Sequence, residues 1–144
     1  MTQQIIALAS DHAGYALKTE LKEELERQGH EVLDLGTHGP ESVDYPDFGH
    51  AMGQALEEGR AQRGVLVCGS GIGISIAANR HPGVRAALCH DETSARLARA
   101  HNDANVLALG ARLIGPEVAR NCLDVFLATD FEGGRHEKRV AKLG

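Results

Sequence analysis

In the run Val65-Leu66-Val67-Cys68-Gly69-Ser70-Gly71-Ile72-Gly73-Ile74-Ser75, an apolar segment stops at a cysteine and passes into a loop with glycine at every second position. A buried strand that delivers a thiol to an anion-binding loop has this pattern. The alternating glycines remove Cβ where backbone N–H groups could turn toward an oxyanion, and the Ile/Ala-rich segment that follows can start a helix whose N-terminus favours negative charge. A thiol beside such donors has the environment that favours thiolate, and the same donors can hold an oxyanion formed by proton abstraction. Read alone, Cys68 fits a buried structural thiol better than a catalytic one, and the glycines fit a tight turn equally well. Ile74 stands where a dinucleotide fingerprint needs its third glycine and no Lys-Ser/Thr pair follows, so neither nucleotide motif is present.

Three further groups carry reactive side chains. Asp11-His12 follows an apolar run at residues 5–9; the carboxylate could move protons between oxygens and the imidazole could hold an anion, or Asp11 simply caps the next helix. His101-Asn102-Asp103 closes another helical pattern, as a general acid/base beside an amide or as a C-terminal cap. The segment Phe131-Glu132-Gly133-Gly134-Arg135-His136-Glu137-Lys138-Arg139 is the most basic stretch of the chain. Arg135 and Arg139 would share one face of a helical turn, suited either to a double grip on a phosphate or to a solvated surface. Arg112 follows a further apolar run. No His-x-x-x-His or paired-carboxylate spacing is present among the eight histidines, so no metal site and no cofactor are expected.

Five strand–loop–helix units must place these groups. Strands are expected at residues 5–9, 32–35, 65–68, 84–89 and 106–109. Helices are expected on Leu17, Leu21 and Leu25; on Phe48, Met52 and Leu56; at 72–79; at 91–100 with Asp91 or Thr93 as N-cap; and from Pro116 through Val118, Cys122 and Phe126. Residues 36–46 read as a long polar loop and 129–144 as a polar, basic tail. Uniformly apolar strands in this rhythm predict an α/β fold, a Rossmann-like three-layer sandwich with a five-stranded parallel sheet, as one domain over residues 1–144. Ligands of such sheets bind beyond the strand carboxyl ends, where strand order reverses.

With a net charge of −5 and 3% aromatic residues, nucleic-acid binding is not expected. No apolar run has the length of a membrane span, and Met1-Thr2-Gln3-Gln4 lacks the basic region of a signal peptide, so a cytoplasmic protein without membrane contact is expected. Three cysteines at no metal-like spacing fit reduced thiols, with Cys89 and Cys122 in the core.

Taken together, Asp11-His12-Ala13-Gly14, Asp44-Tyr45-Pro46, Cys68-Gly69-Ser70-Gly71-Ile72-Gly73, His101-Asn102-Asp103-Ala104-Asn105-Val106-Leu107 and Gly133-Gly134-Arg135-His136 resemble ribose-5-phosphate isomerase type B, in order and over nearly the whole chain. The resemblance implies a metal-free aldose–ketose isomerase that interconverts ribose 5-phosphate and ribulose 5-phosphate through a cis-enediolate. It implies Cys68 as the base between C1 and C2, with Ser70 assisting, and the N–H groups of Gly69, Gly71, Ile72 and Gly73 on the enediolate oxygen. His101 would open the furanose ring and Asp11 would handle hydroxyl protons. His12, Arg135 and Arg139 match phosphate contacts, Tyr45 and Asn102 match substrate contacts, and Arg112 joins the substrate-binding set. The resemblance further implies a homodimer whose active sites draw on both subunits, the C-terminal tail reaching a phosphate site. One subgroup replaces the cysteine by a glutamate at the position of Ile74; Cys68 and the apolar Ile74 put this chain with the thiol subgroup. An allose 6-phosphate or other hexose 6-phosphate isomerase, and a non-catalytic sugar-phosphate-binding regulator, are the competing readings.

Overall fold

The computed structural model describes residues 4–144; Met1, Thr2 and Gln3, on which the reading of the N-terminus falls, lie outside the described residues. Five strands, β1 (Ile5–Ser10), β2 (Glu31–Asp34), β3 (Arg63–Cys68), β4 (Ala86–Leu88) and β5 (Val106–Gly110), form one sheet in the order β2-β1-β3-β5-β4. Every neighbouring pair is parallel. The chain steps outward from β1 to β2 and then returns to lay β3 on the other side of β1. Strand order therefore reverses between β1 and β3.

The helices are α1 (Tyr15–Arg27), α2 (Tyr45–Glu57), α3 (Ile72–Ala78), α4 (Glu92–Asn102), α5 (Pro116–Ala128) and α6 (His136–Ala141). Side chains alternate across each strand, so the apolar strands feed two cores. On one face Ile6, Leu8, Val65, Val67, Leu107 and Leu109 meet α1, α4 and α5, where Phe126 and Leu123 are fully buried. Burying each of those two side chains is worth about 1.5–3 kcal/mol. On the other face Ala7, Ala9, Leu66, Cys68 and Ala108 meet Met52 of α2 and Ile74 of α3. Cys89 and Cys122 are buried in the first core and no cysteine is bonded to another. Burial pushes both thiols up, Cys122 to about 11.

The capping choice at α4 falls to Asp91. Its carboxylate accepts the Ser94 N–H at 2.7 Å while Ser94 Oγ accepts the Asp91 N–H, a reciprocal box that Thr93 does not join. Pro116 opens α5 as expected. Two expectations need correction. The 36–46 loop ends at Asp44, the N-cap of α2, because Pro46 at the start of a helix forfeits no internal hydrogen bond. The expected tail contains α6, which buries His136 against α4, so it is docked structure. Among the described residues no helix is long and apolar enough to cross a membrane.

Candidate active site

A cavity of about 580 Å³ opens where strand order reverses, beyond the carboxyl ends of β1, β3 and β5. Its size lies within the range of small-molecule sites. From β1 come Asp11 and His12; from β3 come Cys68, Gly69 and Ser70; from the loop after β5 comes Arg112. Tyr45 of α2 and Ile72 and Gly73 of α3 close the wall. Gly71 is absent from the lining, because it turns the chain beneath it.

That turn explains the glycine spacing. Gly71 has φ +78°, and a Cβ there would come within 2.6 Å of Leu88 Cδ1 and 2.8 Å of the Leu109 carbonyl carbon. With the backbone so turned, the Gly71 N–H donates to Cys68 Sγ at 3.1 Å, while the thiol itself is almost fully buried. A backbone donor aimed at the sulfur fixes its direction and complements negative charge on it. Ser70 Oγ accepts the Ile72 N–H at 3.2 Å. Gly73 and Ile74 then carry N–H groups of the first turn of α3, which a helix cannot satisfy internally. Gly73 also lets the Tyr45 ring lie directly against the helix backbone. The Arg112 guanidinium lies over Gly69, within 3.2 Å of where a Cβ would stand, and the Arg112 backbone N–H donates to the Gly69 carbonyl at 2.9 Å.

Asp11 accepts the Gly14 N–H at 3.1 Å, and its backbone N–H donates to Val67 O at 3.3 Å, so the turn role and the cavity position coexist. His12 Nδ1 accepts the Val43 N–H at 3.1 Å, which leaves Nε2–H as the donor of the neutral ring. Behind these residues stands Lys18, a residue that the sequence reading did not single out. Fully buried, it donates to Asp34 Oδ1 at 2.6 Å and to the Thr37 carbonyl at 2.7 Å. Residues 36 and 37 in turn pair with Ser10 through Ser10 N–H to Gly36 O and Thr37 N–H to Ser10 O, each 2.8 Å. Lys18 thereby fixes the chain just before Asp11. Burial works to raise the Asp34 carboxyl, but the Lys18 and Gly36 hydrogen bonds and the charges of Lys18 and Lys22 outweigh it and hold it below the usual carboxylate value. The only hint in sequence was a lysine directly beside the Leu17 position of an apolar stripe.

His101, Asn102, Arg135 and Arg139 are not in this cavity. Helices in a parallel sheet run back against the strands, so the C-terminus of α4 lies at the edge where β5 begins, whereas Cys68 pairs with Gly110 where β5 ends. The length of β5 separates the two edges by about 13 Å. At the far edge the His101 and His136 rings stack at 4.3 Å, and Glu132 Oε1 lies 3.5 Å from His136 Nε2 and 3.9 Å from His101 Nε2. Desolvation, followed by the charges of His101 and Arg135, pushes the His136 imidazole below its usual range, Glu132 opposing. Buried Arg99 organises this corner: it donates to Asp103 Oδ1 at 2.9 Å, to Ala104 O at 2.7 Å and to Thr129 O at 3.1 Å. Those bonds hold Asp103, at φ +47°, in a left-handed C-cap and pin the start of the C-terminal segment to α4. Asn102 lines a separate shallow cavity with Leu143 along β4. Arg135 precedes α6 and Arg139 lies one turn on.

Comparison with known proteins places the chain and its fold in one family. The Ribose/Galactose Isomerase family matches residues 6–143. The structure of Clostridium thermocellum ribose-5-phosphate isomerase B superposes with a TM-score of 0.96 at 52% identity, covering 97% of this chain and 95% of that one. Ribose-5-phosphate isomerase B of Escherichia coli is 46% identical over 135 residues, 94% of this chain and 91% of that protein. The D-erythrulose-4-phosphate isomerase of Pectobacterium atrosepticum is 43% identical over 141 residues, 96% and 92% of the two chains. With a matched family spanning nearly its whole length and the fold to go with it, the chain belongs to the Ribose/Galactose Isomerase family and is an isomerase.

Proposed function

We propose that the protein interconverts ribose 5-phosphate and ribulose 5-phosphate, with Cys68 as the base. The observation that carries this reading is the Cys68 sulfur held by the Gly71 N–H at the wall of a cavity that also contains Asp11, His12, Tyr45 and Arg112. His101 takes the anomeric hydroxyl proton as the C1–O4 bond of the furanose breaks and passes it to O4. On the open aldose the Cys68 thiolate removes the C2 proton, and the electron pair moves through C1 onto the carbonyl oxygen to give a cis-enediolate. N–H groups from Gly69 to Gly73 and the Ser70 hydroxyl stabilise that oxyanion, a contribution typical of preorganised donors. Asp11 carries the proton from O2 to O1, and the Cys68 thiol returns its proton to C1, leaving the ketose and the thiolate. Every proton is moved by a side chain of the protein, so the transfer calls for no metal.

His12 and Arg112 stand in the Cys68 cavity, while Arg135, Arg139, His101 and Asn102 stand at the other edge of the sheet. One copy of the chain therefore holds two half-sites, and we take a homodimer to join them, the tail of one subunit gripping the phosphate of a substrate bound over the partner's thiol. Exposed Ile72 and Ile76 on α3, beside the cavity mouth, supply apolar surface for such an association. The unpaired thiols fit a cytoplasmic setting.

The test is an isomerisation assay with EDTA present, offering ribose 5-phosphate beside allose 6-phosphate and erythrulose 4-phosphate. Preferred metal-independent turnover of the pentose supports the proposal. Turnover confined to the hexose or the tetrose moves the substrate within the family, and binding without turnover of any of the three would overturn the proposed reaction.

A further inference from the structure

The geometry points to a transition-metal site made by His101, Glu132 and His136, at which a zinc-type cation inhibits the enzyme by taking His101 out of use. The ligand atoms, one per residue, all lie within 4.8 Å of one another. A tetrahedral zinc with bonds near 2.0–2.1 Å holds its ligand atoms about 3.3–3.4 Å apart. The His136–Glu132 distance of 3.5 Å already meets that spacing, and the His101–Glu132 distance of 3.9 Å needs a few tenths of an ångström.

A second, independent observation comes from His136. The residue is 7% exposed, and its Nε2 is shut off from water with no hydrogen-bond partner, although a carboxylate oxygen stands 3.5 Å away. A buried imidazole nitrogen aimed at a carboxylate, without hydrogen-bond geometry, is arranged for a cation between the two. The two rings stack with their planes 13° apart. His101 is partly exposed and can tilt to converge, whereas His136 is fixed by packing. Arg99 keeps Glu132 and His136 beside His101 by anchoring Thr129, and the Glu132 N–H donates to Ala100 O at 3.0 Å. Two imidazoles and one carboxylate select zinc, cobalt or nickel over magnesium or calcium. Three protein ligands leave the fourth position to water.

In sequence the site is concealed. Glu132 and His136 are four apart, but His101 lies 31 positions upstream of the nearer of them, so no metal-ligand spacing marks it. The inhibitory arm rests on the proposed ring-opening role of His101; the binding arm does not.

The experiment titrates Co²⁺ and Zn²⁺ into the intact protein and into the Glu132→Gln, His136→Gln and Cys68→Ala variants, reading the visible absorption of bound cobalt and the heat of zinc binding. One ion per chain is expected, with cobalt bands of a four- or five-coordinate centre. Affinity should fall at least tenfold in Glu132→Gln and His136→Gln and persist in Cys68→Ala. In turnover assays zinc should inhibit the wild type reversibly by EDTA, while whatever rate Glu132→Gln retains should resist the metal. Equal affinity in the wild type, Glu132→Gln and His136→Gln, or no binding at all, overturns the site. Binding at the site without inhibition keeps the site and removes the ring-opening role of His101. Site-specific binding by a protein that isomerises none of the sugars overturns the proposed reaction alone.

Discussion

The two edges of the sheet carry two differently built clusters of polar side chains. At the carboxyl edge, the Cys68 cavity is made largely by backbone: a positive φ at Gly71, its N–H on the sulfur and the open first turn of α3. At the opposite edge, the His101 corner is made by side chains, with buried Arg99 holding Asp103 and Thr129 so that Glu132 and His136 come up against His101. Backbone donors cannot rotate away and suit charge that develops during reaction. Long side chains on a docked segment suit gripping a charge that is present throughout, such as a phosphate.

The contrast sets the order of mutational effects. Cys68→Ala removes the proposed base and no proposed phosphate contact, so kcat should fall by about 10³-fold or more while the affinity for a substrate analogue stays within twofold or so. A parallel loss of affinity, seen by calorimetry, would break the division of labour. Iodoacetamide should mark Cys68 alone in the folded protein, with substrate protecting it, since Cys68 lines the open cavity whereas Cys89 and Cys122 sit in the core with raised thiol values.

Lys18→Ala leaves the Asp34 carboxylate and the Thr37 carbonyl without their buried partner, at a cost of about 3 kcal/mol seen in denaturant unfolding. Under native conditions its kcat should drop because the chain entering Asp11 loosens; an unchanged kcat would confine Lys18 to stability. Arg139→Ala should raise KM about 10- to 100-fold with little change in kcat, in keeping with one charged hydrogen bond worth about 1.5–3 kcal/mol. A fall in kcat with KM unchanged would put that arginine on the reacting carbons instead.

The smallest expected effect is electrostatic. The Asp34 carboxyl is held below its unfolded value of about 3.8, so its contribution is fully present above that pH and fades as pH falls through the folded value. Melting temperatures followed downward from pH 6 should decline less steeply in Asp34→Asn than in the wild type; identical slopes would exclude this ion pair as a source of acid sensitivity.

What could be read from sequence follows the same division. The Cys68 loop was legible because its constraints are local: a strand end, a donor row and glycines at fixed spacing all fall within eleven residues. The parallel sheet was legible from strands apolar on both faces. Lys18 was not, since its role comes from Asp34 and Thr37, both brought to it by the fold. The spacing of Arg135 and Arg139 suggested a helical turn, but not that it is a docked helix, since α6 packs through His136 on α4. The separation of His101 from Cys68 was implicit in the order of elements, because a helix that follows a parallel strand ends at the opposite edge. Grouping both residues in one site makes sense only if two copies of the chain contribute.

That last point is tested most directly by complementation. The Cys68→Ala chain and an Arg135→Ala/Arg139→Ala chain, each impaired alone, would be co-expressed with different tags and the mixed species isolated. If each site takes its thiol from one subunit and its arginines from the other, every mixed dimer contains one intact site and one site lacking both, and about half of wild-type activity returns. No recovery in an isolated mixed dimer would mean that thiol and arginines serve the same site from one chain, contradicting the two-edge arrangement.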